Sequence, residues 1–460
     1  MLTEPPSAHF GKAYSPPQRA RSSKASLRPT LGPKSIEELT TSIPIIAHED
    51  GAPYGKKRSV NVLQWGPLMT HGSDIESRYV AHGYISKQGD PADTAIKAWG
   101  KFWEQIEPAA EGRDSDGTPI AMDPDGTMWK LVFLFCLNDF DMDREHNLPN
   151  FKRAELFCKH CRATNFAKPE QNRYPYNDLK PGADWRHQLI TSNHEFRSRL
   201  VRPHPLTSSR YFNKYTIRND LMHCQDHHGV WSVIFASIIW FLCINNGKPS
   251  LGDTQQDRLD TVNRRLASHY TKNKGISSTL DPLTMRNIIP AGTASYATLG
   301  GPTVKAANTR HAMPFLKVLA DKHLTDANDM DHVLMHMLIG HTLEFNRIIG
   351  AAGTFLTEAE LAGLREATEG VGKYLQLLRS RAKAAKQLLW HITPKSHYMQ
   401  HFPDEARLIN PRLVQCYIEE SYIGKVSKIW ASCKSGPYSE TIQHRGLLKY
   451  LVWLCIELDL

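Results

Sequence analysis

Apolar and polar positions alternate in three short runs near the start of the chain: "IPIIAHEDGAPY" (43–54), "SVNVLQWGPLM" (59–69) and "SRYVAHGYIS" (77–86). Their β-branched and aromatic content and their Gly and Pro borders predict three consecutive strands, a meander over 43–86. An Asp-Gly pair closes the first apolar run, which fits a turn but also sets an acid at a strand end. In "TAIKAWGKFWEQIE" (94–107), Ile96, Trp99, Phe102, Trp103 and Ile106 recur at three and four residues, the spacing of an amphipathic helix. "MWKLVFLFCLNDFD" (128–141) is apolar almost without interruption, which predicts a central strand covered on both faces. It too ends in acids, with Asp139, Asp141 and Asp143 in close succession.

"YTIRNDLMHCQDHHGV" (215–230) reads as a strand that leaves into a buried helix, "VWSVIFASIIWFLCI" (230–244), a run too short to span a bilayer. From about 250 to 390 helical periodicity dominates, and Thr357 with Glu360 fits a capping box. "TPKSHYMQHF" (393–402) and a last helix, "LVQCYIEESYIGKVSKIWASC" (413–433), follow, and no internal repeat is visible. The expectation is an α/β fold, a mixed sheet flanked by helices and interrupted by a large all-α insertion. Its divisions are a disordered basic tail at 1–38, the first part of the core at 39–245, the insertion at 246–390 and the closing part of the core at 391–460.

Composition narrows the class. A chain of 460 residues, 41% hydrophobic, can bury a large core, and a net charge of +9 favours an anionic partner. The N-terminal segment has no apolar core of signal-peptide type. Eight cysteines without secretory context point to reduced thiols or metal ligands. The expectation is an intracellular protein without a membrane segment.

Strand ends at the carboxyl edge are where α/β sheets build their sites, and Asp50 and Asp139 both end strands. Carboxylates converging on two divalent ions about 4 Å apart are what metal-dependent phosphoryl transfer requires. A third acid is expected from a packed helix, and "YIEESYIG" offers Glu419 and Glu420. On a helical wheel Tyr422, Ile423, Val426 and Trp430 lie within roughly 60° of Glu419, so Glu419 faces the core and is chosen. The plainer alternative is a turn residue, a strand-end cap and a partly buried ion pair.

"HEDG" on the first strand, "CLNDFD" on the central strand, "DLMH" before an α block and "YIEESYIG" on the closing helix resemble eukaryotic cut-and-paste DDE/D transposases. Among these the chain is most similar to the CACTA, KDZ and hAT group. The resemblance spans about 43 to 455 and implies an RNase H-like core that cleaves and joins DNA strands with Mg²⁺ or Mn²⁺. It makes Asp50, Asp139 and Glu419 the catalytic acids and metal ligands, and Asp220 and His223 the supporting D-x-x-H pair. It implies a nuclear protein that binds DNA, as a homo-oligomer on DNA ends. Asp141 crowds Asp139, and Glu420 adjoins Glu419, so both positions keep a neighbour as alternative. No N-terminal zinc finger or helix-turn-helix is visible, which fits a fragment or a domesticated derivative.

Cys158 and Cys161 form a C-x-x-C pair, half of a zinc site, and His397 and His401 at i and i+4 offer the other half. Thr393 as N-cap and Pro394 at N1 give that helix its start. The same pairs resemble the zinc clamp of Transib-type transposases and the related V(D)J recombinase. His227 and His228 are adjacent and read as helix-start residues, with Asp226 as the cap. Lys305, Arg310 and His311 sit together in the α block, as DNA-phosphate contacts or as a solvated face. Two other functions compete with an active transposase: a catalytically inactive DNA-binding derivative, and an unrelated zinc hydrolase built on the Cys and His clusters.

Overall fold

The computed structural model describes residues 40–53, 59–69, 73, 77–85, 91–138, 143, 146, 148–149, 157–165, 169–200, 203–209, 211–244, 249–290, 295–433 and 439–457. The basic tail expected at 1–38, Asp139 and Asp141 lie outside these residues. The architecture is mixed α/β around a five-stranded mixed sheet.

Three strands form the expected meander: β1 (Ser42–Pro53), β2 (Ser59–Pro67) and β3 (Tyr79–Ile85). β1 and β2 pair antiparallel, as do β2 and β3. Helix α1 (Pro91–Ala109) follows, then β4 (Lys130–Asn138), and much later β5 (Ile217–Asn219). β4 runs parallel to β1 and β5 parallel to β4, so the sheet order is β3-β2-β1-β4-β5. The Asp-Gly pair is no turn. β1 continues through it, with Asp50 opposite Val62 and Gly51 opposite Asn61.

β4 is central and covered on both faces, as its apolar run implies. Phe133 and Cys136 pack with Trp99, Phe102 and Trp103 of α1. Val132, Leu134, Phe135 and Leu137 pack on the other face with Ile46, Val414 and Cys416. The alternation slips at 134/135 because the register against β1 shifts there, Phe133 facing Ile45 and Phe135 facing Ile46.

Beyond β5 every described element is helical: α2 (Leu221–Gln225), α3 (Val230–Cys243), α4 (Gln255–Lys272), α5 (Ala306–His323), α6 (Met330–Ala351), α7 (Glu358–Ala384), α8 (Pro394–Met399), α9 (Tyr417–Ala431) and α10 (Ser439–Glu457), with short turns between. The capping box of Thr357 and Glu360 opens α7. Asp226 caps no helix start; it ends α2, and Gly229 precedes α3. Helix α10 was not anticipated, and its Gly446 lies against Trp430 of α9.

The core runs across the bounds expected at 246 and 390. One hydrophobic cluster joins α3 to α4–α7 and continues into Phe157, Trp185, Leu389 and Phe402. The helical stretch Leu221–Cys243 is long and apolar enough to cross a membrane, contrary to the reading of its apolar run alone. In the fold it is mostly buried, with Trp231, Ile234, Phe235 and Ile238 wholly enclosed.

Candidate active site and metal centre

Register across the parallel strands lines up one edge of the sheet. Glu49 of β1 pairs with Asn138 of β4, and Asn138 pairs with Asn219 of β5. The next residues in sequence are Asp50, Asp139 and Asp220. Side chains alternate along β1, so Ile46, His48, Asp50 and Ala52 share one face. Ile46 packs against Cys416 and Ala52 against Tyr422, Ile423 and Val426, so this is the α9 face.

Asp220 anchors the site. Its carboxylate accepts hydrogen bonds from the backbone N–H groups of Met222 (3.2 Å) and His223 (2.7 Å), capping α2, and from Cys416 N (2.8 Å), which ties in the start of α9. It also accepts from His223 Nδ1 (2.7 Å) and from the Cys416 thiol (3.1 Å). Burial opposes charge on Asp220, but the hydrogen bond and charge of His223 hold its pKa down to about 2. Burial likewise opposes charge on His223, and Asp220 outweighs it, lifting the imidazole to about 9. The other ring nitrogen of His223 lies 4.0 Å from Glu420.

The carboxyl groups of Asp50 and Glu420 are close enough to perturb each other. Burial first, then the negative charge of Glu420, raises Asp50 to about 8. His48 completes the group: its ring, Cys416 and Glu420 offer donor atoms within 4.8 Å of one another. Burial above all depresses His48 to about 3, and its Nδ1 faces the Gln64 amide at 3.1 Å.

Glu419 is buried as the wheel argument required, but its partner is Arg78, not Asp50. The Arg78 guanidinium donates Nε–H and Nη2–H to Glu419 Oε1 at 2.9 and 2.6 Å. Burial lifts the Glu419 pKa, and Arg78, reaching one of its two oxygens, does not fully offset it. Glu420 is thus the acid beside Asp50. The expected separations from Asp139 fall outside the described residues.

On the opposite face, sequence reasoning missed Glu49. It accepts from Trp99 Nε1 (2.5 Å) and from the Tyr84 hydroxyl, and it contacts His146 Nε2 (3.0 Å). Burial opposes its charge, yet His146, Tyr84 and Trp99 together bring its pKa down.

The basic residues divide. Arg310 is committed internally, donating to Asp226 (3.0 and 2.8 Å) and Gln415 (2.8 Å) while lying over the Tyr417 ring. It does not occupy a free solvent face. Burial raises Asp226 to about 6 against the pull of Arg310 and Tyr417. His311 contacts the Ser278 carbonyl (3.0 Å), and Lys305 is exposed at the start of α5.

Cys158, Cys161, His397 and His401, distant in sequence, meet in the interior with all four ligand atoms within 4.8 Å of one another. Cys161 Sγ lies 3.3 Å from His397 Nε2, Cys158 Sγ 3.5 Å from His401 Nε2, and the two imidazole nitrogens are 3.2 Å apart. Tetrahedral bonds of about 2.3 Å to sulfur and about 2.1 Å to nitrogen separate such atoms by roughly 3.4 to 3.8 Å. The set fits a metal such as zinc. The backbone supports it: His160 N–H donates to Cys158 Sγ and Ala163 N–H to Cys161 Sγ. The Trp185 ring packs edge-on to both imidazoles. Burial opposes ionisation of Cys158, but Cys161 and the two imidazoles outweigh it and bring its pKa down. With four protein donors the centre leaves no open position for water, which is the pattern of a structural site. No family model matches the chain, and no curated protein matches it.

Proposed function

We propose that this chain is a DDE/D transposase-type protein with an RNase H-like core that cleaves and joins DNA strands by phosphoryl transfer. The observation that carries the reading is the meeting of Asp50 and Glu420 at the carboxyl edge of a sheet ordered β3-β2-β1-β4-β5. The strand order and the helical block between β5 and α9 agree with the fold the motifs imply. Asp50 and Glu420, with Asp139, which follows β4 in the sequence, would hold Mg²⁺ or Mn²⁺. Two carboxylates kept together at the cost of a raised pKa are the donor set a hard divalent cation stabilises. Bound there, such ions would activate the attacking water or 3′-hydroxyl and neutralise charge on the scissile phosphate.

The chain's own groups do the rest. Asp220 accepts the hydrogen bond of His223 Nδ1–H and fixes the ring, so the imidazolium holds positive charge beside Glu420, where a phosphate oxygen would lie. Asp220 also joins the ends of β5 and α9, so the acids cannot separate without breaking its bonds. Arg78 holds Glu419 away from the site and fixes the rotation of α9. The Cys158/Cys161/His397/His401 centre, loaded with zinc, would tie the segment after β4 to the one before α9. The test is divalent-dependent nicking of duplex DNA by purified protein, compared with Asp50→Asn and Glu420→Gln. Nicking that survives both substitutions would refute the assignment. Duplex binding without any nicking would leave the DNA-binding derivative as the better reading.

A further inference from the structure

Next to the Cys/His centre the surface forms a cavity of about 250 Å³ whose lining includes Arg162, Arg173, Arg199, Glu195, Asn172 and Ser198. Among the described residues the lining holds three arginines and one carboxylate. Arg162 Nη2 pairs with Glu195 at 2.9 Å, which leaves the lining with a net positive charge. Arg199 donates Nη1–H to the Cys161 carbonyl (3.2 Å), so the metal-binding loop itself sets one wall of the cavity. The same loop reaches the sheet edge, since His160 contacts Asn219, the residue before Asp220, at 3.1 Å. Planar guanidinium forks match the oxygens of a phosphate in geometry as well as charge.

We propose that this cavity is a phosphodiester-binding site that grips the DNA backbone away from the scissile phosphate, on an arginine wall held in place by the Cys/His loop. The proposal rests on the DNA reading above. It assigns the recognition of strand to Arg162, Arg173 and Arg199, and not to Arg310. Arg310 spends its charge on Asp226.

The experiment is fluorescence anisotropy of a labelled duplex titrated with the full chain across a salt series. The Arg162→Gln/Arg173→Gln double variant should bind about tenfold or more weakly, with the slope of log K against log salt reduced by about 1–2. Arg162→Lys/Arg173→Lys should recover the slope, because counterion release follows charge, but only part of the affinity. Arg347→Gln, at an exposed residue paired with Glu344 on α6, serves as the control and should change neither. If the double variant does not fold, Arg173→Gln alone carries the measurement. Equal affinity and slope in wild type and variant would overturn this proposal and leave the transposase reading standing. Binding of inorganic phosphate that the variant loses, with duplex binding unchanged, would assign the cavity to a free anion and overturn it as well. Wild-type protein that binds no duplex would remove both readings.

Discussion

Glu419 and Glu420 are adjacent, and the structure gives them opposite jobs, so exchanging each for glutamine separates catalysis from stability. Arg78 and Glu419 are 4% and 2% exposed and share two hydrogen bonds. Without Glu419, Arg78 keeps only the Ser77 and Pro67 carbonyls as partners among the described residues, at 2.8 and 3.3 Å. Removing one side of a buried pair costs about 3–5 kcal/mol, because the remaining charge stays out of water. A glutamine oxygen still accepts a hydrogen bond, so Glu419→Gln should cost about 3 kcal/mol, at the low end of that range. Urea unfolding reads this as a lowered midpoint at unchanged slope. Nicking by the folded fraction should persist. Glu420→Gln should do the reverse. It removes the charge that disfavours ionised Asp50, so the metal-free fold is unharmed, whereas nicking should fall on the order of 10³-fold, since even outer partners of metal ligands are worth about 10–100-fold. Arg78→Met/Glu419→Met should regain much of the loss, because an apolar pair leaves no buried charge. A Glu419→Gln protein with a normal urea midpoint and no nicking, beside a Glu420→Gln protein that nicks normally, would refute the assignment.

Purified protein should carry one zinc per chain by metal analysis, and His401→Ala or Cys158→Ser should lose it together with cooperative unfolding; full stability of a zinc-free chain would count against the centre. Asp50 is raised to about 8 from 3.8, so between those values the folded state holds a proton the unfolded state has lost. Stability without added magnesium should therefore fall as pH rises through that window, and Asp50→Asn should flatten the trend in urea titrations at several pH values. His223 changes stability in the same direction: its stabilising contribution is present below 6.5 and lost as pH rises through about 9. Asp220→Asn should bring its titration, followed by NMR, back toward 6.5, and an unmoved titration would show that Asp220 is not the cause. A Cβ on Gly446 would stand 2.5 Å from the Trp430 ring, so Gly446→Ala should cost about 1–3 kcal/mol by overpacking, measured by urea unfolding.

Much of this protein is determined locally. Period-two and period-3.6 patterns place β1–β4, α1, the buried α3 and the α block, because burial of one face or of all faces leaves its mark on adjacent residues. The Cys-x-x-Cys and His-x-x-x-His pairs announce ligand geometry by spacing alone, and the fold brings them together. Other features were decided only in three dimensions. A helical wheel shows that Glu419 faces inward, but not that Arg78, 341 residues away, waits there. Arg310 looked like a free cation until Asp226, 84 residues earlier, took its charge. Asp50 read as the end of a strand, with a turn as the alternative, because nothing local says that β2 pairs past the Asp-Gly step. Periodicity records which face meets the core, and it is silent on the partner of a buried charge. That partner is set by long-range packing, where the cost of an unpaired ion in low dielectric selects the one side chain within reach.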